Sequence, residues 1–235
     1  MQHLAPTDLV AARLELHYAA QIVAACADVW LPERADDGHT SMTWRSPSMV
    51  GERSPTEVAI GVRAIDFALL AFHDDDLQTL PLAGKTLAEA LAWADAQFGT
   101  PRGAKLRDYD LPASPLRSGG HFTGPELELA ELARWYDAGL AVVGRYADPS
   151  TIRIWPHHFD LGAILPSNIG IGLSPGDAFY AEPYFYVTPP APPARAPEIK
   201  GGGFWRTDGW TGAVLLASAD GHPIDFVQSA LAAMQ

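Results

Sequence analysis

The chain has 235 residues, 48% hydrophobic and 19% charged, a balance that suits a folded globule and excludes a disordered chain. Its 28 acidic residues against 16 basic ones leave a net charge of −12, the wrong sign for a nucleic-acid backbone or an anionic membrane surface as partner. The lone Cys26 excludes an intramolecular disulfide and a cysteine-rich zinc site.

The first ten residues show neither the basic start nor the apolar run of a signal peptide, and no apolar stretch reads as the roughly 18 residues a membrane span needs. The expected setting is therefore soluble and cytoplasmic, with a small molecule as the partner to look for.

Thr7 is the expected N-cap of a first helix whose apolar positions run from Leu9 through Leu16 and Val23 to about Asp28. A short strand, Ser41–Arg45, precedes a stretch from Ser46 to Pro55 that proline and glycine mark as a loop. Glu57–Arg63 alternates as a strand does, Phe67–Phe72 is a second apolar run, and His73–Asp76 reads as a solvated acidic turn. Thr86 and Glu89 form a capping box for a helix that Gly99 stops. Residues 100–120 hold three prolines and three glycines and read as a connection. Thr123 and Glu126 look like a second capping box, opening a helix to about Tyr146.

Three strands are then expected, at Ile152–Trp155, Ile169–Leu173 and Pro183–Thr188. Pro189–Gly203, with five prolines and three glycines, reads as an ordered loop or lid hinged at Lys200–Gly203. Thr211–Ala217 is a last strand and Pro223–Met234 a last helix.

Setting aside the last strand, both halves read helix, strand, strand, strand, helix. An offset of 111 places Trp44 on Trp155, Val58 on Ile169, Ile60 on Ile171, Gly61 on Gly172 and Asp66 on Asp177. An offset near 118 superposes His17-Tyr18-Ala19-Ala20 on Trp135-Tyr136-Asp137-Ala138. The fold class expected is α+β: one domain over 1–235, built of two pseudo-symmetric halves at about 1–100 and 121–235 around an antiparallel sheet.

The halves differ at Trp155-Pro156-His157-His158-Phe159-Asp160, where the second gains titratable groups. Two histidines and a carboxylate suit acid–base chemistry near neutral pH, with His158 and Asp160 as catalytic groups sharing one face of a strand. They equally suit a divalent metal such as zinc, iron or manganese, with His157, His158 and Asp160 completed by His121, Glu182 or Asp177. Eight aromatic residues between Phe179 and Trp210 suggest a pocket wall. Trp155, Tyr184, Tyr186, Trp205 and Trp210 are its expected ligand-binding members. The two functions in play are a metal-dependent or acid–base enzyme acting on a small molecule, and a non-catalytic small-molecule-binding module.

Leu16-His17 with Gln21-Ile22-Val23, then Phe159-Asp160-Leu161, then the aromatic strand Pro183–Pro189 resemble an uncharacterised bacterial family, the domain of unknown function numbered 5996. Members carry a histidine before their Phe-Asp-Leu; by position it falls on Arg153 here. The resemblance implies a shared fold and no activity.

Overall fold

The computed structural model describes residues 4–74, 76–193 and 196–234. Among them lie four α-helices, α1 (Val10–Trp30), α2 (Leu87–Ala96), α3 (Glu126–Val143) and α4 (Pro223–Ala232), set against one antiparallel sheet, so the class is α+β.

The strands, in chain order, are β1 (Met42–Arg45), β2 (Ser48–Gly51), β3 (Val58–Arg63), β4 (Ala68–His73), β5 (Asp76–Pro81), β6 (Arg153–Ile154), β7 (Leu161–Ile164), β8 (Gly170–Ser174), β9 (Tyr184–Thr188), β10 (Phe204–Arg206) and β11 (Gly212–Leu216). They pair in the order β10-β11-β9-β8-β7-β6-β1-β2-β3-β4-β5. The meander β1–β5 therefore meets a second one, β6–β9 extended by β11 and then β10, at β1 and β6, where the register rests on Met42 opposite Ile154.

Side-chain alternation gives the sheet two unlike faces. One inward row runs Trp44–Met49–Val62–Leu69–Leu80; another runs Ile154–Leu161–Leu173–Phe185–Leu215. Apart from the half-buried Leu80, both rows are buried, with α1 packed over β2 and β3, and α3 over β7 and β8. At Gly139 of α3 an added Cβ would stand 2.9 Å from Leu173, so this helix approaches the sheet at a glycine.

α1 has the strong helix formers Ala and Leu and no glycine or proline, which fixes its continuity. It is buried nearly all round, with Leu16, Tyr18, Ala19, Ala20 and Ile22 fully enclosed. With the short 3-10 turn Pro6–Leu9 ahead of it, the helical run is 25 residues long, and an 18-residue window within it has a mean hydropathy of 1.2, so the helix is long and apolar enough to cross a membrane. The sequence reading missed that length. Its apolar residues are spent on the core, 72% of the window being buried.

Several sequence expectations change. Thr7 makes no cap; the Asp8 carboxylate instead accepts from the Ala5 N–H at 2.9 Å. Thr86 and Glu89 do form their capping box. The second box does not form: α3 starts after Pro125, and the Thr123 N–H and hydroxyl donate to Glu15 of α1 at 3.0 and 2.6 Å. The Ser46–Pro55 loop contains β2, because only Ser46 and Pro47 are needed to turn the chain. β5, β7 and β10 were not expected at all. Of the acidic turn, Asp74 precedes β5, Asp76 begins it, and Asp75 lies outside the described residues.

The connection 100–120 is held down rather than free. Asp95 accepts from the Gly103 and Ala104 N–H groups at 2.7 and 3.1 Å and from Trp30 Nε1 at 2.8 Å. Tyr18 donates to the Pro112 carbonyl at 2.8 Å, and Arg107 forks onto both oxygens of Asp28. These bonds lay the segment across α1 and bring Tyr109 to the edge of the site described next.

Candidate active site

A cleft of about 860 Å³ opens between the N-terminal half of α1, the 100–120 connection, the turn joining β6 to β7, and the outward side of β8 and β9. That volume falls in the range of small-molecule sites.

The β6–β7 turn carries most of the chemistry, and its shape is fixed from inside. The Phe159 N–H donates to the Trp155 carbonyl at 2.7 Å, and the Trp155 N–H to the Asp160 carbonyl at 3.1 Å. Phe159 sits at φ +59°, a left-handed conformation costly for a bulky residue. Surrounding contacts hold it there. Its ring stacks on His17 with centroids 4.5 Å apart, and its carbonyl accepts from the buried Tyr136 hydroxyl at 2.8 Å. The Pro156 carbonyl accepts from His17 Nε2 at 2.7 Å and from Gln21 Nε2 at 2.5 Å.

His17 must therefore carry its proton on Nε2, which leaves Nδ1 as the basic nitrogen. Burial holds its pKa down, to about 4. The sign of the linkage follows: the unfolded state takes up a proton near pH 6.5 and the native state only near 4. The His17 contribution is complete above pH 6.5 and is lost as the pH falls towards 4, by up to about 3 kcal/mol. Urea unfolding of His17→Gln at pH 7 and 4.5 should show a smaller loss on acidification than the wild-type chain. An unchanged loss would place the titration elsewhere.

Asp160 is the most unusual group. Its Oδ2 accepts a short hydrogen bond from the Tyr186 hydroxyl, while Oδ1 is buried without a partner among the described residues. Burial raises its pKa above the ordinary carboxyl value, against the Tyr186 bond and the nearby His158, which pull it down. Tyr186 reaches Asp160 because its ring crosses the β8 and β7 glycines: a Cβ at Gly162 would lie 2.5 Å from the Tyr186 oxygen.

A second pair lies beside the first. Tyr184 donates to Asp177 Oδ2 at 2.7 Å, and Asp177 Oδ1 accepts from the Phe179 and Tyr180 N–H groups at 2.8 and 2.9 Å. Trp210 stacks near Tyr184, at 6.5 Å between centroids, and Arg13 borders the same end of the cleft.

Of the residues expected at a site, His157, His158, Asp160, Tyr184, Tyr186 and Trp210 all line this cleft. The two histidines are neighbours, 4.2 Å between ring centroids, because the segment is a turn and not the regular strand that separated them in the sequence reading. Burial and His158 together lower the His157 pKa. Trp155 stays behind the turn, edge-on to His157 at 6.2 Å. Trp205 faces away and donates from Nε1 to the Pro197 carbonyl at 2.7 Å.

The expected metal set does not assemble. Glu182 is held by Ser218, accepting from its N–H at 2.6 Å and its hydroxyl at 2.9 Å. His121 pairs with Thr86 at the start of α2. Among the described residues no three of His, Cys, Asp and Glu gather closely enough to hold an ion. Arg13, His17 and Tyr109 were not among the expected site residues, and their sequence neighbours give no sign that the fold brings them to one cleft; Phe179, which also lines it, belongs to the expected aromatic wall.

No family model, curated protein or solved structure matches this chain.

Proposed function

We propose that the cleft binds a small neutral or cationic molecule and performs acid–base chemistry on it, with Asp160 and His158 as the catalytic groups. The observation that carries this reading is the buried, unpartnered Oδ1 of Asp160 in a wall of tyrosines and tryptophan. A carboxyl group so placed costs stability unless a ligand supplies the missing donor, and perturbed carboxyls in clefts are where acid–base function concentrates. Protonated, Asp160 gives a proton to the ligand; ionised, it receives an ammonium or hydroxyl donor. Tyr186 positions it, and His158, two residues away on the same turn, is the second proton-transfer group. Among the described residues no donor set converges to support the metal-dependent version, so the acid–base version is the one taken forward.

The same reading includes a cytoplasmic setting, kinship with the 5996 family on the three motifs above, and a duplicated scaffold. The duplication rests on the paired rows. When Val62 is set on Leu173, the registers bring Trp44 onto Ile154, Met49 onto Leu161, Leu69 onto Phe185 and Leu80 onto Leu215. Trp44 therefore matches Ile154 and not Trp155, since the β6–β7 turn is two residues longer than its counterpart. That lengthened turn is the one bearing His157, His158 and Asp160.

The test is a thermal-shift screen of small amines and aromatic alcohols, benzylamine and choline among them, on the wild-type chain and Asp160→Asn at pH 7. The variant should be at least as stable as wild type, because a carboxyl with a raised pKa loses stabilisation as the pH rises through it. Ligands that raise the wild-type melting temperature should leave Asp160→Asn unmoved. Equal shifts in both proteins would overturn the assignment. Conversion of a hit, followed by NMR, should disappear in His158→Gln while binding persists.

A further inference from the structure

The outward face of the first half holds its own cleft, of about 550 Å³, with a chemistry opposite to that of the first. Its floor includes Val50, Leu70 and Phe72, and Arg45, Arg63 and Arg153 stand around it. The outward rows match as the inward ones do: Thr43–Val50–Gly61–Leu70 corresponds to Arg153–Gly162–Gly172–Tyr186. Leu70 thus occupies the place of Tyr186, and Ser48 that of Asp160. The carboxyl and phenol are replaced by an apolar floor and a basic rim.

The chain neutralises only part of this charge. Arg63 is paired with Asp66 at 2.6 Å, and Arg53, at the rim, approaches Asp74 at 3.9 Å. The acidic residue of the cleft, Glu52, is taken by Arg34 at 2.6 Å. Arg45 has no hydrogen bond or ion pair among the described residues, and Arg153 donates only to the Ile152 carbonyl, at 2.9 Å. The register that sets Met42 opposite Ile154 puts Arg45 and Arg153 on one face as diagonal neighbours, a spacing long side chains bridge. In a chain of net charge −12, two unpaired guanidinium groups over an apolar floor are a local reversal of sign.

We infer that this cleft binds a small organic carboxylate with an apolar body. The carboxylate is held between Arg45 and Arg153, whose planar forks match it, and the body covers Leu70 and Phe72. A bare inorganic anion would leave the floor wet, and an uncharged hydrocarbon would leave both arginines without a partner.

Isothermal titration of the full chain with octanoate tests this at low salt. One saturable site is expected, weakened at least tenfold by Arg45→Gln and by Arg153→Gln, weakened again by added salt, and absent with octanol. Asp160→Asn should bind octanoate as wild type does, which keeps this site distinct from the cleft of the second half. Circular dichroism and melting temperature show that each variant folds; Arg45 is exposed, so Arg45→Gln decides the matter if Arg153→Gln does not fold. Heats that never saturate, affinity indifferent to Arg45→Gln, loss of binding in Asp160→Asn, or preference for a glutamate-rich peptide over octanoate would each overturn the inference.

Discussion

Phe159→Ala is expected to lower the free energy of unfolding by about 3–5 kcal/mol, the usual cost of emptying a buried aromatic position. The ring is 1% exposed, and it carries both the stack on His17 and an edge contact with Tyr136 at 5.8 Å. The left-handed backbone at this residue provides a sharper signature. Alanine keeps the strain of that conformation and loses the packing, whereas glycine loses the same packing and releases the strain. Phe159→Gly should therefore be no less stable than Phe159→Ala, reversing the order found at ordinary positions. Urea unfolding curves of the two variants decide it. A glycine variant clearly below alanine would mean that the turn is not held in the left-handed region.

Gly172→Ala is expected to cost about 3 kcal/mol or more, at the upper end for an overpacked core. The added methyl would stand 2.6 Å from the Leu161 carbonyl and within 2.5 Å of the Tyr186 hydroxyl and Cζ. The carbonyl cannot give way without breaking the β7–β8 ladder, and Tyr186 cannot give way without leaving Asp160. Gly170→Ala on the same strand is the control. Its methyl would meet chiefly the Thr188 hydroxyl, the end of a side chain that can rotate, so the cost should stay below about 1 kcal/mol. A thermal melt of both variants reads the difference, and near-equal melting temperatures would rule out the flat placement of Tyr186 over the glycine row.

The helices and the strongly alternating strands were legible because each has a buried face that writes a period into the sequence. β5 was not, since Asp76–Pro81 is an edge strand with nearly every residue exposed and so no apolar alternation. β2 was concealed by Pro47 and Pro55, which punctuate its flanks and not its pairing. β7 and β10 are too short to show a period.

At the site, the turn histidines, Asp160 and the tyrosines of β9 were readable as chemistry. Their partners were not, because His17 and Arg13 reach the cleft only through the packing of α1 against the second half. Glu182 and His121 misled for the same reason: residue type suggested ligands, while tertiary position gave one to a serine and the other to the start of a helix. The glycines under Tyr186 looked like strand residues and are the space its ring needs.

The grip of α1 on the Pro156 carbonyl also sets an order on folding. Its two donors lie 139 and 135 residues away along the chain, so each bond closes a loop more than half the length of the protein. Closing loops of that size costs chain entropy that only already packed neighbours can offset, and such non-local contacts slow folding. The turn bearing His157, His158 and Asp160 therefore takes shape after both meanders have docked. A pulse of hydrogen exchange during refolding should find the Phe159 amide protected later than those of α1 and β3.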